Sequence, residues 1–233
     1  MDLMNPRWTR PLVGLALVGA FTSGCPSPSI YGTARTIPRG TVQHTLAAEV
    51  IGVGGNASGV IPSLPTYQVR IGLADNVDLG LRLGNLSMPG VDVKINFVRG
   101  AFDLSIVPGV QGIYAAFGGD GGGFLYANLP LVLGFNLSRS FSIIATPGIA
   151  YGAVFGTTSG CSSSSGCSST SYSTYAGSGI LPRLGLGFNI RINRTFALQP
   201  EVTAYYSPDS SSAIFVGGLG FTFGSQPDFS DIQ

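Results

Sequence analysis

Ten charged residues occupy the same side of an alternating pattern, and that one-sidedness limits the fold more than any other feature of the chain. From about residue 40 the sequence resolves into runs of about 9 to 13 residues in which apolar and polar positions alternate with period two, the signature of strands. In Val77-Asp78-Leu79-Gly80-Leu81-Arg82-Leu83-Gly84 the aliphatics take one face, and Asp, Gly, Arg and Gly take the other. Val91-Asp92-Val93-Lys94-Ile95-Asn96-Phe97 repeats the pattern. Across all such runs Glu49, Arg70, Asp78, Arg82, Asp92, Lys94, Asp103, Arg183, Arg191 and Glu201 share the polar class, and the apolar class carries no charge. A helical stripe repeats every 3.6 residues and would not sort charges this way.

Strands are expected near 41–53, 64–74, 77–86, 91–98, 101–114, 124–135, 141–153, 179–191, 195–206 and 213–223. Asp75-Asn76, Arg99-Gly100, 136–140 and Asn193-Arg194 read as tight turns. Between them lie 54–63, 87–90, 115–123, 155–178 and 207–212, mostly longer and rich in Gly and Ser. That alternation predicts an all-β, up-and-down antiparallel barrel of about ten strands, with the turns at one end and the loops at the other. An even strand count returns both ends of the barrel chain to the tight-turn end.

Alternation by itself does not distinguish a transmembrane barrel from a soluble one of the lipocalin type. The uncharged apolar face favours lipid, because a charge facing the bilayer midplane costs about 2–4 kcal/mol. The polar face is rich in glycine, including Gly72, Gly80, Gly84, Gly148, Gly185, Gly187 and Gly220, which suits a narrow interior. The apolar face also sorts its aromatics by height. Phe97, Phe102, Phe135, Phe141, Phe196 and Phe223 fall by tight turns or the last strand end, and Tyr67, Tyr151, Tyr206 and Phe215 by loops. Two such belts match the two interfaces of a bilayer. Only 10% of the 233 residues are charged, against about 25% in ordinary globular proteins. A net charge of +1 provides no basic footprint for nucleic acid. No run past residue 25 is long and apolar enough for a transmembrane helix.

Residues 1–24 read as an export signal: Arg7 and Arg10, an apolar run from Leu12 to Phe21, then small residues. Thr22-Ser23-Gly24-Cys25 resembles the lipobox of bacterial lipoproteins, although that family more often has Leu where Thr22 stands. The resemblance implies lipidation of Cys25. Cleavage after Ala20 is the alternative, and both export the chain. Residues 25–40 then read as a lipidated N-terminus and tether, and the 15 residues after Cys25 reach about 50 Å if extended. With Cys25 assigned to lipid, Cys161 and Cys167 remain as a pair, and a disulfide suits an oxidising compartment. No His, Asp or Glu lies nearby in sequence to complete a metal site.

The lipobox-like tetrapeptide, Gly40-Thr41-Val42-Gln43, Val69-Arg70-Ile71-Gly72-Leu73, Leu184-Gly185-Leu186-Gly187-Phe188 and Gly220-Phe221-Thr222-Phe223-Gly224 together resemble small outer-membrane β-barrel proteins of Gram-negative bacteria. The likeness covers residues 40–224 and implies an outer-membrane location. Many such barrels end in Phe; here residues 225–233 follow as a tail, which displaces or buries any terminal signal.

Catalysis requires an acid, a base and a nucleophile in one cleft. His44 is the only histidine, and its parity places it on the apolar face. The stretch Gly118-Gly119-Asp120-Gly121-Gly122-Gly123 has no following Lys and reads as a loop, not a phosphate cradle. Neither a cofactor nor a metal is expected. The five cations and five anions of the polar face are expected to fill the lumen as cross-strand ion pairs. Inward Tyr126, Ile144 and Tyr205 narrow the passage further. The expected function is therefore that of a non-enzymatic, lipid-tethered envelope scaffold. Its expected partners are outer-membrane lipid and an envelope or surface protein met through the outer loop 155–178. A narrow channel is the runner-up, and a lipid-modifying enzyme is a remote third.

Overall fold

The computed structural model describes residues 27, 29–54, 59–117, 120–161, 170–207 and 212–232. Its strands are β1 (Val42–Gly54), β2 (Gly59–Pro62), β3 (Thr66–Ala74), β4 (Val77–Gly84), β5 (Met88–Val98), β6 (Phe102–Ile106), β7 (Gly109–Phe117), β8 (Asp120–Asn136), β9 (Phe141–Cys161), β10 (Thr170–Arg191), β11 (Phe196–Ser207) and β12 (Ser212–Gly224). Every pairing is antiparallel between neighbours in the wall, and β12 pairs with β1 from Gln43–Gly224 to Gly54–Ala213, which closes the sheet on itself.

The wall holds ten strands, because two of them are interrupted. Both β2 and β3 pair with the same side of β1, separated by Ser63-Leu64-Pro65. Both β6 and β7 lie between β5 and β8, separated by Val107-Pro108. Pro65 and Pro108, which have no N–H to give to a ladder, stand at the two interruptions, although Pro130, Pro147, Pro182 and Pro200 lie within unbroken strands. All ten expected strands are present.

The connections differ from expectation. The tight turns stand where the sequence places them, but the segments expected as loops are largely continuations of the wall. Residues 155–161 and 170–178 are ribbon: β9 and β10 remain paired from Ile190–Phe141 to Thr170–Cys161. Similarly β7 and β8 pair as far as Phe117–Asp120, and β11 and β12 as far as Ser207–Ser212. Gly and Ser lower strand propensity, yet the backbone ladder to the partner strand outweighs it. Between β4 and β5 only Asn85–Ser87 intervene, with Asn85 and Leu86 at φ 49° and 54°. The wall is therefore low at β3–β5 and tall at β8–β10.

The apolar parity class faces out. Leu46, Leu129, Ile149, Leu184 and Val202 are between 42% and 60% exposed on the outer surface. Ring pairs Phe102–Phe135, Phe141–Phe188 and Phe196–Phe223, with centroids 5.3, 5.9 and 5.1 Å apart, gather near the tight-turn end. Tyr67, opposite Leu83 beside the turn that follows β4, stands at the loop end of the low wall and hydrogen-bonds His44 Nδ1 at 2.8 Å.

The largest correction concerns the tether. Residues 29–37 are not a free leash; they run inside the barrel, where Ser29, Ile30, Tyr31, Ala34, Arg35 and Ile37 are buried. Ile30 and Ala34 pack with the inward Val107, Val132 and Ile144 to form a small apolar core within the lumen. Inward glycines make the room. A Cβ on Gly220 would stand 2.9 Å from the Tyr31 ring, and one on Gly218 would overlap the Tyr31 hydroxyl. Gly72 similarly admits the carbonyl of Pro38. Gly217, one residue away on the outer face, has only Val50 nearby at 3.9 Å. Gly218→Ala is therefore expected to lower unfolding stability in urea by about 1–3 kcal/mol through overpacking, and Gly217→Ala to be near neutral. Equal effects would contradict the internal segment.

Candidate functional site

The site is the lumen, where period-two alternation delivers the polar class. Nine of the ten sequence-predicted charges are buried there, and Arg191 is half-buried at the tight-turn mouth. Only part of the expected wall-to-wall ion pairing forms. Arg70 on β3 reaches across β4 to Asp92 on β5, with Nη2 2.8 Å from Oδ1. Gly80 lies between them in register and leaves the space for this contact. Arg82 approaches the other Asp92 oxygen at 3.7 Å, and Lys94 stands 3.9 Å from Asp78.

The remaining valences grip the internal segment. Glu201 accepts hydrogen bonds from the backbone N–H groups of Ile30 at 2.9 Å and Tyr31 at 2.8 Å. Glu49 accepts from the hydroxyls of Ser27 at 2.7 Å, Tyr31 at 2.9 Å and Thr66 at 2.8 Å. Arg82 donates to the carbonyls of Ser27 and Ser29, and Lys94 to that of Thr33 at 2.6 Å. Asp78 accepts from the N–H of Ile37, and Asp103 pairs with Arg35 at 3.0 Å. A chain segment inside a barrel has no sheet ladder of its own, and buried N–H and C=O groups without partners are costly. The wall charges supply these partners. The expectation of a lumen filled by ion pairs is corrected accordingly: the filling is polypeptide.

Arg183 stands apart from the grip. It donates to Thr146 Oγ1 at 3.2 Å and lies over the Tyr205 ring at 5.9 Å. Tyr205 and Tyr126 meet edge-on with centroids 6.3 Å apart and their hydroxyls hydrogen-bonded; with Ala150 they form a septum on the tall-walled side. Inward Tyr126, Ile144 and Tyr205 are all buried, as their parity predicts.

The C-terminal tail closes the other mouth. Phe229 is buried between two guanidinium groups, Arg191 at 3.7 Å and Arg35 at 4.5 Å from its ring centre. Arg35 also pairs with Asp231, which holds that carboxyl below the usual carboxylate range. Arg139 donates to the carbonyl of Ile232 at 2.7 Å, and Arg191 to that of Pro227 at 3.1 Å.

Sequence reasoning missed Arg35, Tyr31 and Phe229. Arg35 and Tyr31 lie outside any alternating run, and Phe229 follows the last strand, so parity is silent on all three. A signal was nevertheless available: Ile30, Tyr31 and Ile37 are too apolar for a solvated leash, and the inward glycines leave a groove unfilled by any wall side chain. Cys25, the signal residues 1–24 and Cys167 lie outside the described residues; Cys161 ends β9 opposite Thr170. His44 is on the outer face, as its parity predicts. Among the described residues no group of His, Cys, Asp and Glu could hold a metal.

No protein-family model and no curated protein matches the chain. Among solved structures it is similar to the attachment invasion locus protein Ail of Yersinia pestis, at 10% identity and TM-score 0.40, covering 80% of this chain and 99% of that one. Neisserial surface protein A gives 8% identity and TM-score 0.39, covering 78% and 96%. The outer-membrane protein OprG of Pseudomonas aeruginosa gives 11% identity and TM-score 0.37, covering 85% and 100%.

Glu201→Ala leaves the N–H groups of Ile30 and Tyr31 without an acceptor. It is expected to cost about 1–3 kcal/mol in urea unfolding of the reconstituted barrel. An unchanged midpoint would show that these bonds do not hold the segment.

Proposed function

We propose that this chain is a sealed, non-enzymatic β-barrel of the Gram-negative outer membrane that serves as an envelope scaffold and presents its tall β7–β8 and β9–β10 hairpins to the exterior. The observation that carries the sealed reading is the occupied lumen, with residues 29–37 along its length and Phe229 across one mouth. The membrane location is supported by the outer surface, where large apolar side chains are exposed all round a wall whose charges point inward. A bilayer interior requires every backbone polar group to be satisfied within the structure, and a sheet closed through β12 and β1 meets that requirement.

Export by residues 1–24, acylation of Cys25 and a Cys161–Cys167 disulfide that closes the tip of the β9–β10 ribbon belong to the same reading. They are supported by the lipobox-like tetrapeptide and by the odd number of cysteines. The scaffold contacts outer-membrane lipid along its wall and an envelope or surface protein through its hairpins. The absence of catalysis is supported by the position of His44 on the outer face, away from the lumen.

Two measurements test this. Leu186→Arg, on the outer face, is expected to cost about 2–4 kcal/mol in lipid bilayers. A neutral result would place the barrel in water. In planar-bilayer recording the intact protein is expected to be silent, and a variant lacking residues 29–37 that keeps heat-modifiable gel migration is expected to give discrete current steps. Steady steps from the intact protein would overturn the sealed reading and favour the channel.

A further inference from the structure

The internal segment has a direction, and it runs against the one the strand count implies. β1 begins at the tight-turn end, so a chain lacking this segment would start there. Ser27 lies instead at the loop end. Its carbonyl accepts from Arg82 Nη1 and Gln111 Nε2, each at 2.9 Å, and its hydroxyl donates to Glu49. Its backbone nitrogen is 3.2 Å from where a Cβ on Gly84 would stand, and Gly84 is the last residue of β4 before the loop-end turn.

From there the segment descends in order. Ile30 and Tyr31 meet Glu201, Thr33 meets Lys94, and Ala34 accepts from Asn96 at 3.2 Å. Thr36 donates to the carbonyl of Asp75 at 2.6 Å, and Gly40 donates to that of Gly72 at 2.8 Å, both beside a tight turn. The segment therefore crosses the whole height of the low wall.

We propose that the chain enters the barrel from its loop-end mouth, so that the N-terminus of the mature protein is displayed on the side of the long hairpins. Cys25 is two residues ahead of Ser27, a reach of at most about 7 Å, and a cut after Ala20 adds only about 15 Å more. The Cys25 reach falls well short of the tight-turn side even along the low wall, where β4 runs only the eight residues Val77–Gly84. Resting on the outer-membrane reading, the loop-end side is the cell exterior. Acyl chains on Cys25 then enter the outer leaflet, and the barrel is pinned at its outer rim rather than leashed from the periplasm.

The test places one short epitope, in separate variants, after Cys25, at Gly59 on the loop end and at Asn193 in a tight turn, and reads antibody labelling on intact and on permeabilised cells. The expected result is labelling of intact cells at Cys25 and Gly59, with loss of labelling at Asn193 until the cells are permeabilised. Labelling at Gly59 with none at Cys25 overturns the proposal and leaves the outer-membrane orientation standing. Labelling at Asn193 with none at Gly59 overturns the orientation itself. If the epitope at Cys25 blocks folding, NMR of the unaltered, isotope-labelled barrel decides. A cross-peak between the Ser27 amide proton and a Gly84 Hα supports the proposal, and its absence from an assigned spectrum overturns it.

Discussion

Charges buried in a narrow barrel must find partners, and here many of those partners are backbone groups of the chain's own N-terminal segment. Glu201 and Asp78 take its N–H groups; Arg82 and Lys94 take its carbonyls. The exchange gives partners to both sides, although Asp78 Oδ1 and Arg70 Nη1 are buried without a hydrogen bond. Carboxylates and cations that would be costly alone are solvated by peptide dipoles, and a stretch of peptide with no ladder of its own acquires hydrogen-bond partners along its length. Arg35 joins this system to the tail, because one guanidinium contacts Asp103 in the wall, Asp231 in the tail and the face of Phe229. The tight-turn mouth is thus closed by residues from the two ends of the chain.

Closure also explains the glycines. A wall strand that faces lipid on one side and a polypeptide on the other has room inside only where it lacks a side chain. Gly218 and Gly220 face Tyr31, and Gly72 faces Pro38. Gly80 serves the wall itself by letting Arg70 reach Asp92 over an intervening strand. Weak strand formers are tolerated because ladders on both sides fix the backbone.

Most of the wall was legible in the sequence because period-two alternation is a local property. Each of the ten strands carries its own evidence, and the parity of Glu49, Asp92 or Lys94 follows from two neighbours. Strand length was less legible. The Ser- and Gly-rich stretch 155–178 looks like a loop by composition, and only strand pairing makes 155–161 and 170–178 a ribbon. The filling of the lumen was not legible at all by parity, since Tyr31 and Arg35 lie in no alternating run. It is a long-range property: Ile30 meets Glu201, 171 residues away. The charge balance of the polar face suggested self-sufficient ion pairs, and the wall instead divides its charges between its own pairs and the segment.

Amide hydrogen exchange of Ile30 and Tyr31 in bilayer-reconstituted protein tests the central claim most directly. Both N–H groups are buried and bonded to Glu201, so their exchange is expected to be as slow as that of central strand amides such as Val202. Exchange as fast as in an unstructured peptide would mean that the segment does not occupy the lumen, and the account of the sealed barrel would fail with it.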